Sequence, residues 1–120
     1  MYERQNGRSP ARDFLEELEK PMLKKFAGQF DAITKMGSAY CNHERFRPLH
    51  GYGKPLWELK EFDHRQYCVR NVWADAVTLV LLNGWVKGKE GKTEKEKREI
   101  ERALGLYQEF ICEFPGGVLS

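Results

Sequence analysis

The succession of hydrophobic periodicities along this 120-residue chain predicts an α+β fold: an N-terminal helical hairpin, an antiparallel β-meander of three or four strands, and a C-terminal helix. Three observations carry the prediction. Residues 10–36 repeat apolar side chains at steps of three and four. Residues 56–86 hold short runs rich in Val, Leu, Trp and Tyr, separated by polar turns. Residues 93–114 return to helical spacing. The length suits one domain spanning 1–120, and no repeat or linker divides it.

Ser9-Pro10 marks a helix start, because a serine oxygen can accept from free first-turn amides and proline suits the first helical position. Phe14, Leu15 and Leu18 form its apolar face. Pro21 restarts a second helix after a break at Lys20, with Leu23, Phe26, Ala27, Phe30 and Ile33 facing inward and Gly37 as its stop. Gly51, Gly53 and Pro55 make 38–55 irregular. Strands are expected over Leu56–Phe62, Gln66–Ala74 and Val77–Val86, joined by a link at Asp63-His64 and a tight connection at Asp75-Ala76. The last strand is almost wholly apolar, as a central strand covered on both faces should be. Thr93 and Glu96 form a capping box for the final helix. Its buried stripe is expected to run through Ile100, Ala103, Leu104, Tyr107, Phe110, Ile111 and Phe114, ending at Pro115-Gly116-Gly117.

The net charge is only +2, but cations are in excess over 43–92, the stretch that also holds all 3 histidines. Cys41, Cys68 and Cys112 have no CxxC spacing, which points to reduced thiols, with Cys68 and Cys112 as small core residues. Cys41-Asn42-His43 has no zinc-type spacing to His50 or His64, so neither a metal nor another cofactor is expected, and the histidines read as loop residues. There is no basic-then-apolar leader, and the strongest apolar run, Val77–Leu82, is too short to span a bilayer. A soluble cytoplasmic protein without a membrane partner is expected.

Several segments, taken in order, resemble the phage-derived Gp49-like group within the RelE/ParE/HigB superfamily of type II toxins. They are Ser9-Pro10-Ala11-Arg12-Asp13-Phe14-Leu15, Arg47-Pro48-Leu49, Leu56-Trp57-Glu58-Leu59-Lys60, Tyr67 to Arg70, Leu81-Leu82-Asn83-Gly84-Trp85-Val86-Lys87, and Glu99 to Ala103. The resemblance spans almost the whole chain. It departs at Lys60, where arginine is usual, at Gly88, where a second lysine is usual, and at a nearly missing first strand.

The resemblance implies a RelE-like fold, a small helix-turn-helix antitoxin as protein partner, and ribosome-dependent, metal-free cleavage of mRNA. Such cleavage uses the 2′-hydroxyl as nucleophile. It needs a base, an acid for the leaving 5′-oxygen, and positive charge on the phosphate. By position, Arg70 would fork the phosphate, Lys87 would stabilise charge or donate a proton, and Lys60 would share the phosphate or serve as base. Arg45, Arg47, Lys54, Arg65, Lys89 and Lys92 would contact the RNA backbone, and Tyr67 or Trp85 would stack on a base. Alternation places Lys60 with Glu58 and Phe62; whether Arg70 and Lys87 share that direction depends on strand register. Two alternatives stand beside the endoribonuclease: a non-catalytic phage-type binding protein, favoured by the departures, and a ParE-like topoisomerase inhibitor. The plain reading of the cations is a solvated sheet face, some of them paired with Glu58, Glu61 or Asp63; for the tryptophans it is core.

Overall fold

The computed structural model of the chain describes residues 1–4, 6–36, 45–49, 56–73, 76–87, 93–114 and 118–119, with backbone alone for 71–73, 76–78, 93, 118 and 119. Helix α1 (Pro10–Glu16) and helix α2 (Lys20–Met36) form the expected hairpin. They are followed by β1 (Phe46–Pro48), β2 (Trp57–Glu61), β3 (His64–Trp73), β4 (Ala76–Val86), helix α3 (Thr93–Glu113) and β5 (Val118–Leu119). Strands β1 to β4 lie side by side in chain order, all antiparallel. Strand β5 pairs with Asn71 and Val72, the length of β3 that the shorter β2 leaves uncovered.

The sheet is a middle layer with a separate core on each face. On one face α1 and α2 pack Phe14, Phe26 and Ile33 against Phe46, Leu59, Cys68 and Leu81. On the other, Ile100, Ala103, Tyr107 and Phe110 of α3 pack against Tyr67, Val69, Val80 and Leu82. Burial of this kind contributes roughly 1.5–3 kcal/mol for each large apolar side chain. Strand β4 serves both cores by alternation, which explains its apolar sequence.

Several expectations change. Strand β4 is covered on both faces, but β2 and β3 are the inner strands and β4 ends the meander. Its outer edge receives the Tyr2 N–H at the Leu81 carbonyl (3.0 Å), one backbone bond in place of a first strand. Part of the stretch read as irregular supplies β1, because Phe46 can bury against Leu59 and Arg47 can meet Glu58 across the ladder. On α2 the inward residues are Phe26, Gln29 and Ile33, while Leu23 and Ala27 are exposed. The polar Gln29 takes an inward place because its amide donates to the buried Glu61 carboxylate at 2.8 Å. On α3, Leu106 is buried and Phe114 exposed, and Cys112 lies on the surface. His64 opens β3 and sits against the Phe14 ring. The stops placed at Gly37 and at 115–117, the Asp75 connection and the Thr93 side chain lie outside the described residues.

Ser9 caps α1 as expected: its Oγ accepts from the Arg12 N–H at 3.3 Å, with Pro10 at the first helical position. Two details of β3 and β4 set up the site. Gln66 pairs with Gly84 but Cys68 with Leu81, so Leu82 and Asn83 together oppose Tyr67, a one-residue bulge. The Gln66 amide donates to the Tyr67, Leu82 and Asn83 carbonyls (2.8, 3.3 and 3.2 Å), filling the bulge. Asn83 donates to the Glu99 carbonyl and carboxylate, both at 3.0 Å, and so ties the bulge to α3. The β2–β3 turn consists of Phe62 and Asp63, with Phe62 in the left-handed region at φ 54. That region costs an L-residue about 1–2 kcal/mol.

A Cβ at Gly84 would overlap the Phe14 ring, so α1 approaches β4 only because this residue is glycine. Gly84→Ala is expected to cost about 1–3 kcal/mol of stability by overpacking. Urea unfolding checks this, and Phe14→Leu in the same chain should recover part of the loss.

Candidate nucleic-acid interface

Strand pairing decides which side chains meet. In β2, Trp57, Leu59 and Glu61 face the helical hairpin, and Glu58 and Lys60 face the α3 side. Across the sheet on that side run two rows, Arg47–Glu58–Tyr67 and Lys60–Arg65–Trp85. Beyond the second row, Lys87 reaches Glu96 of α3 (3.4 Å), and its N–H donates to the Asp63 carbonyl at 2.7 Å. Lys60, Arg65, Trp85 and Lys87 therefore share one face at the turn end of the sheet.

Glu58 organises this face. It is 1% exposed, and its two oxygens take Arg47 Nε at 3.1 Å and Arg65 Nε at 3.4 Å. Arg65 is itself buried and donates to the Phe62 and His64 carbonyls at 2.6 and 3.0 Å. Its guanidinium thus holds the turn and Glu58 together and has little capacity left for a ligand. Arg45 approaches Glu61 at 3.6 Å. Lys60 is half-buried, and no ion pair joins its ammonium to a described residue. Among the described residues, the positive groups able to reach an anion on this face are Lys60, Lys87 and the half-exposed Arg47, with Lys95 lying over the Trp85 ring at 5.7 Å.

Arg70 is not with them. It lies on the helical-hairpin face, 5% exposed, its guanidinium 5.0 Å from the Trp57 ring, which in turn stacks on Phe46 at 4.6 Å. Its Nε is buried with no hydrogen-bond partner among the described residues. It lies an odd number of residues from Arg65 along β3 and so points oppositely, and its direction relative to Lys60 depends on the two-residue length of the β2–β3 turn, which the sequence does not fix. Neither expected stacking residue is available: Tyr67 is fully buried and Trp85 6% exposed, with Trp85 Nε1 donating to Tyr67 Oη at 2.9 Å. The expected solvated sheet face is corrected too, since Arg65 and Arg70 are buried. The pairing of cations with Glu58 and Glu61 is present. Lys54, Lys89, Lys92, Cys41, His43 and His50 lie outside the described residues.

Sequence reasoning passed over Glu58 as an organising group. The signal was a lone carboxylate set between apolar neighbours at the same parity as Lys60.

Burial raises the Tyr67 hydroxyl pKa well above the usual phenol range; Glu58 adds to this, against the Trp85 donor. Burial likewise raises the Cys68 thiol far above its ordinary 9.0, against the lowering effect of Arg70. Tyr2 is pushed up to about 12, by burial first and then by the Glu113 and Glu109 carboxylates. Both Tyr67 and Cys68 are therefore neutral at physiological pH and take no part as bases.

Two outcomes follow from this electrostatics. Glu58→Ala leaves the buried Arg65 cation uncompensated and is expected to cost about 3–5 kcal/mol. Lys60→Ala is expected to stay within ~0.5 kcal/mol of the unaltered chain in the same urea titration. Tyr2, Tyr67 and Cys68 each hold their proton more tightly folded than unfolded. The stability they contribute is full below their ordinary values of 10.0 and 9.0 and is lost as pH rises through the folded values. The urea midpoint should hold steady across pH 7–8.5 as far as these groups are concerned, and fall steadily above about pH 9.

No family model, no curated protein and no solved structure matches this chain.

Proposed function

We propose that the chain is a RelE/HigB-like toxin component of a type II toxin–antitoxin pair, acting on mRNA in the ribosome through the face that carries Lys60 and Lys87. The observation that supports this most is the gathering of Lys60, Arg65 and Lys87 at one end of one sheet face. Of these, Lys60 has no carboxylate partner among the described residues. A half-buried ammonium with no carboxylate partner among the described residues, lying beside other cations, is suited to an anionic ligand.

In the cleavage, the 2′-oxygen bonds to phosphorus as its proton leaves, and the 5′-oxygen departs taking a proton. Lys60 is the candidate to accept the first proton when neutral, or to hold the phosphate when charged. Lys87 is the candidate to donate the proton taken by the departing oxygen or to support charge on it. Arg65 acts indirectly, by holding the turn that follows Lys60 in the chain. The antitoxin would be a small helix-turn-helix protein presenting an acidic or apolar segment to this face or to a sheet edge.

One observation favours the non-catalytic binding reading instead: Arg65 is occupied by Glu58, and Arg70 is on the far face, so neither of these arginines offers a free fork beside Lys60.

Induced expression of the chain alone separates the readings. Growth arrest with mRNA cut within translated codons is expected, and Lys60→Ala combined with Lys87→Ala should relieve both while the domain stays folded. Arrest with intact mRNA would leave inhibition by binding, and with DNA-damage signalling it would point to a ParE-like action on a topoisomerase. Growth without arrest would discard the toxin reading.

A further inference from the structure

Phe62 occupies the first position of the two-residue β2–β3 turn with φ 54, a conformation that suits glycine and that a phenylalanine backbone adopts only under strain. Its ring gains little burial in return, being 66% exposed. The strained backbone is nonetheless secured: the Phe62 carbonyl accepts from Arg65 Nη1 at 2.6 Å. Lys25 of α2 places its ammonium 4.0 Å from the ring centroid, steadying the ring and enriching the cationic surroundings. Lys60 lies two residues before Phe62, and the Lys87 N–H holds the carbonyl of Asp63, the next residue. The turn therefore presents an exposed aromatic plane beside Lys25 on the helical-hairpin side, at the same end of the sheet as Lys60 and Lys87, whose side chains lie on the α3 side, whereas Tyr67 and Trp85, the aromatic residues on the sheet face itself, are buried.

We propose that Phe62 is the base-stacking residue of this protein, receiving an unpaired nucleobase of single-stranded RNA on the ring face away from Lys25 while Lys60 and Lys87 hold the flanking phosphates. The inference rests on the nucleic-acid reading of the Lys60 face and adds to it the element that recognises bases. Stacking accepts any base, since each has a π-face, so this contact selects unpaired over paired RNA and not one sequence over another.

The test is Phe62→Gly in the full chain. Glycine suits the positive φ, so the variant should fold and resist urea at least as well as the parent. Binding is measured to an eight-nucleotide single-stranded RNA carrying central 2-aminopurine, and to the same backbone with that base removed. The parent should bind the base-bearing oligomer about 5- to 100-fold more tightly than the abasic one, with quenching of the 2-aminopurine; Phe62→Gly should bind both equally weakly, without quenching. Phe62→Tyr should retain the preference. If the parent binds both oligomers alike, or Phe62→Gly keeps the preference, the stacking role is wrong while the cationic face stands. If the parent binds neither, stacking and the nucleic-acid reading of that face fall together.

Discussion

The carboxylate of Glu58 is the group on which the arrangement of this sheet depends. A buried charge is tolerated only when paired, and Glu58 is paired on both sides, by Arg47 from β1 and Arg65 from β3. The three residues belong to three adjacent strands. A slip of one residue would turn every side chain of a strand to the opposite face, separating Glu58 from both guanidiniums and leaving it uncompensated in a closed site. The ion pairs thus act as a register pin and give β1, a strand of only 3 residues, a reason to stay in place. They also hold Lys60, next but one along β2, on the α3 side. Arg65 extends the constraint to the turn by bonding the Phe62 carbonyl, so one electrostatic cluster determines the orientation of the whole end of the sheet.

The two faces differ in character because of what the helices bring. The α1–α2 side receives aromatic rings and ends in the Phe46–Trp57–Arg70 stack, which absorbs a guanidinium by π contact instead of by a carboxylate. The α3 side is apolar where Ile100 to Phe110 cover it and cationic toward the turn. The cations there are graded by how much of their charge is already used. Arg65 is buried and engaged through Nε and Nη1, Arg47 and Lys87 each share a carboxylate, and Lys60 shares none with a described residue. That gradient, more than the number of positive residues, distinguishes structural charge from charge left for a ligand.

Much of the fold was legible from the sequence. The hairpin start at Ser9-Pro10, the meander and the final helix follow from local rules of capping and periodicity, which one chain carries in full. What escaped was decided by partners far apart in sequence. Gln29 turns inward because Glu61 needs a donor, and 46–48 becomes a strand because Glu58 needs Arg47. For the candidate site, alternation correctly paired Lys60 with Glu58 but not with Phe62, which lies in the turn and carries its ring to Lys25 of α2. Arg70, separated from Lys60 by a turn, could be oriented only once the turn was known to contain two residues. The aromatic residues misled for a related reason: Tyr67 and Trp85 sit on the expected face but bond each other in the interior.

The bulge at Leu82 and Asn83 reaches further than its place in the ladder suggests. Val80 and Leu82 point toward α3 from even positions, whereas Trp85 and Lys87 point the same way from odd ones. The difference is the single extra residue. Whether the turn end of the sheet carries a second lysine is therefore encoded in how many residues β4 contains and not in which residues they are. Loss of one codon there would leave the apolar composition of the strand almost intact and yet carry Lys87 to the opposite side. For a chain of this design, counting residues through the bulge is as informative about the site as reading their identities.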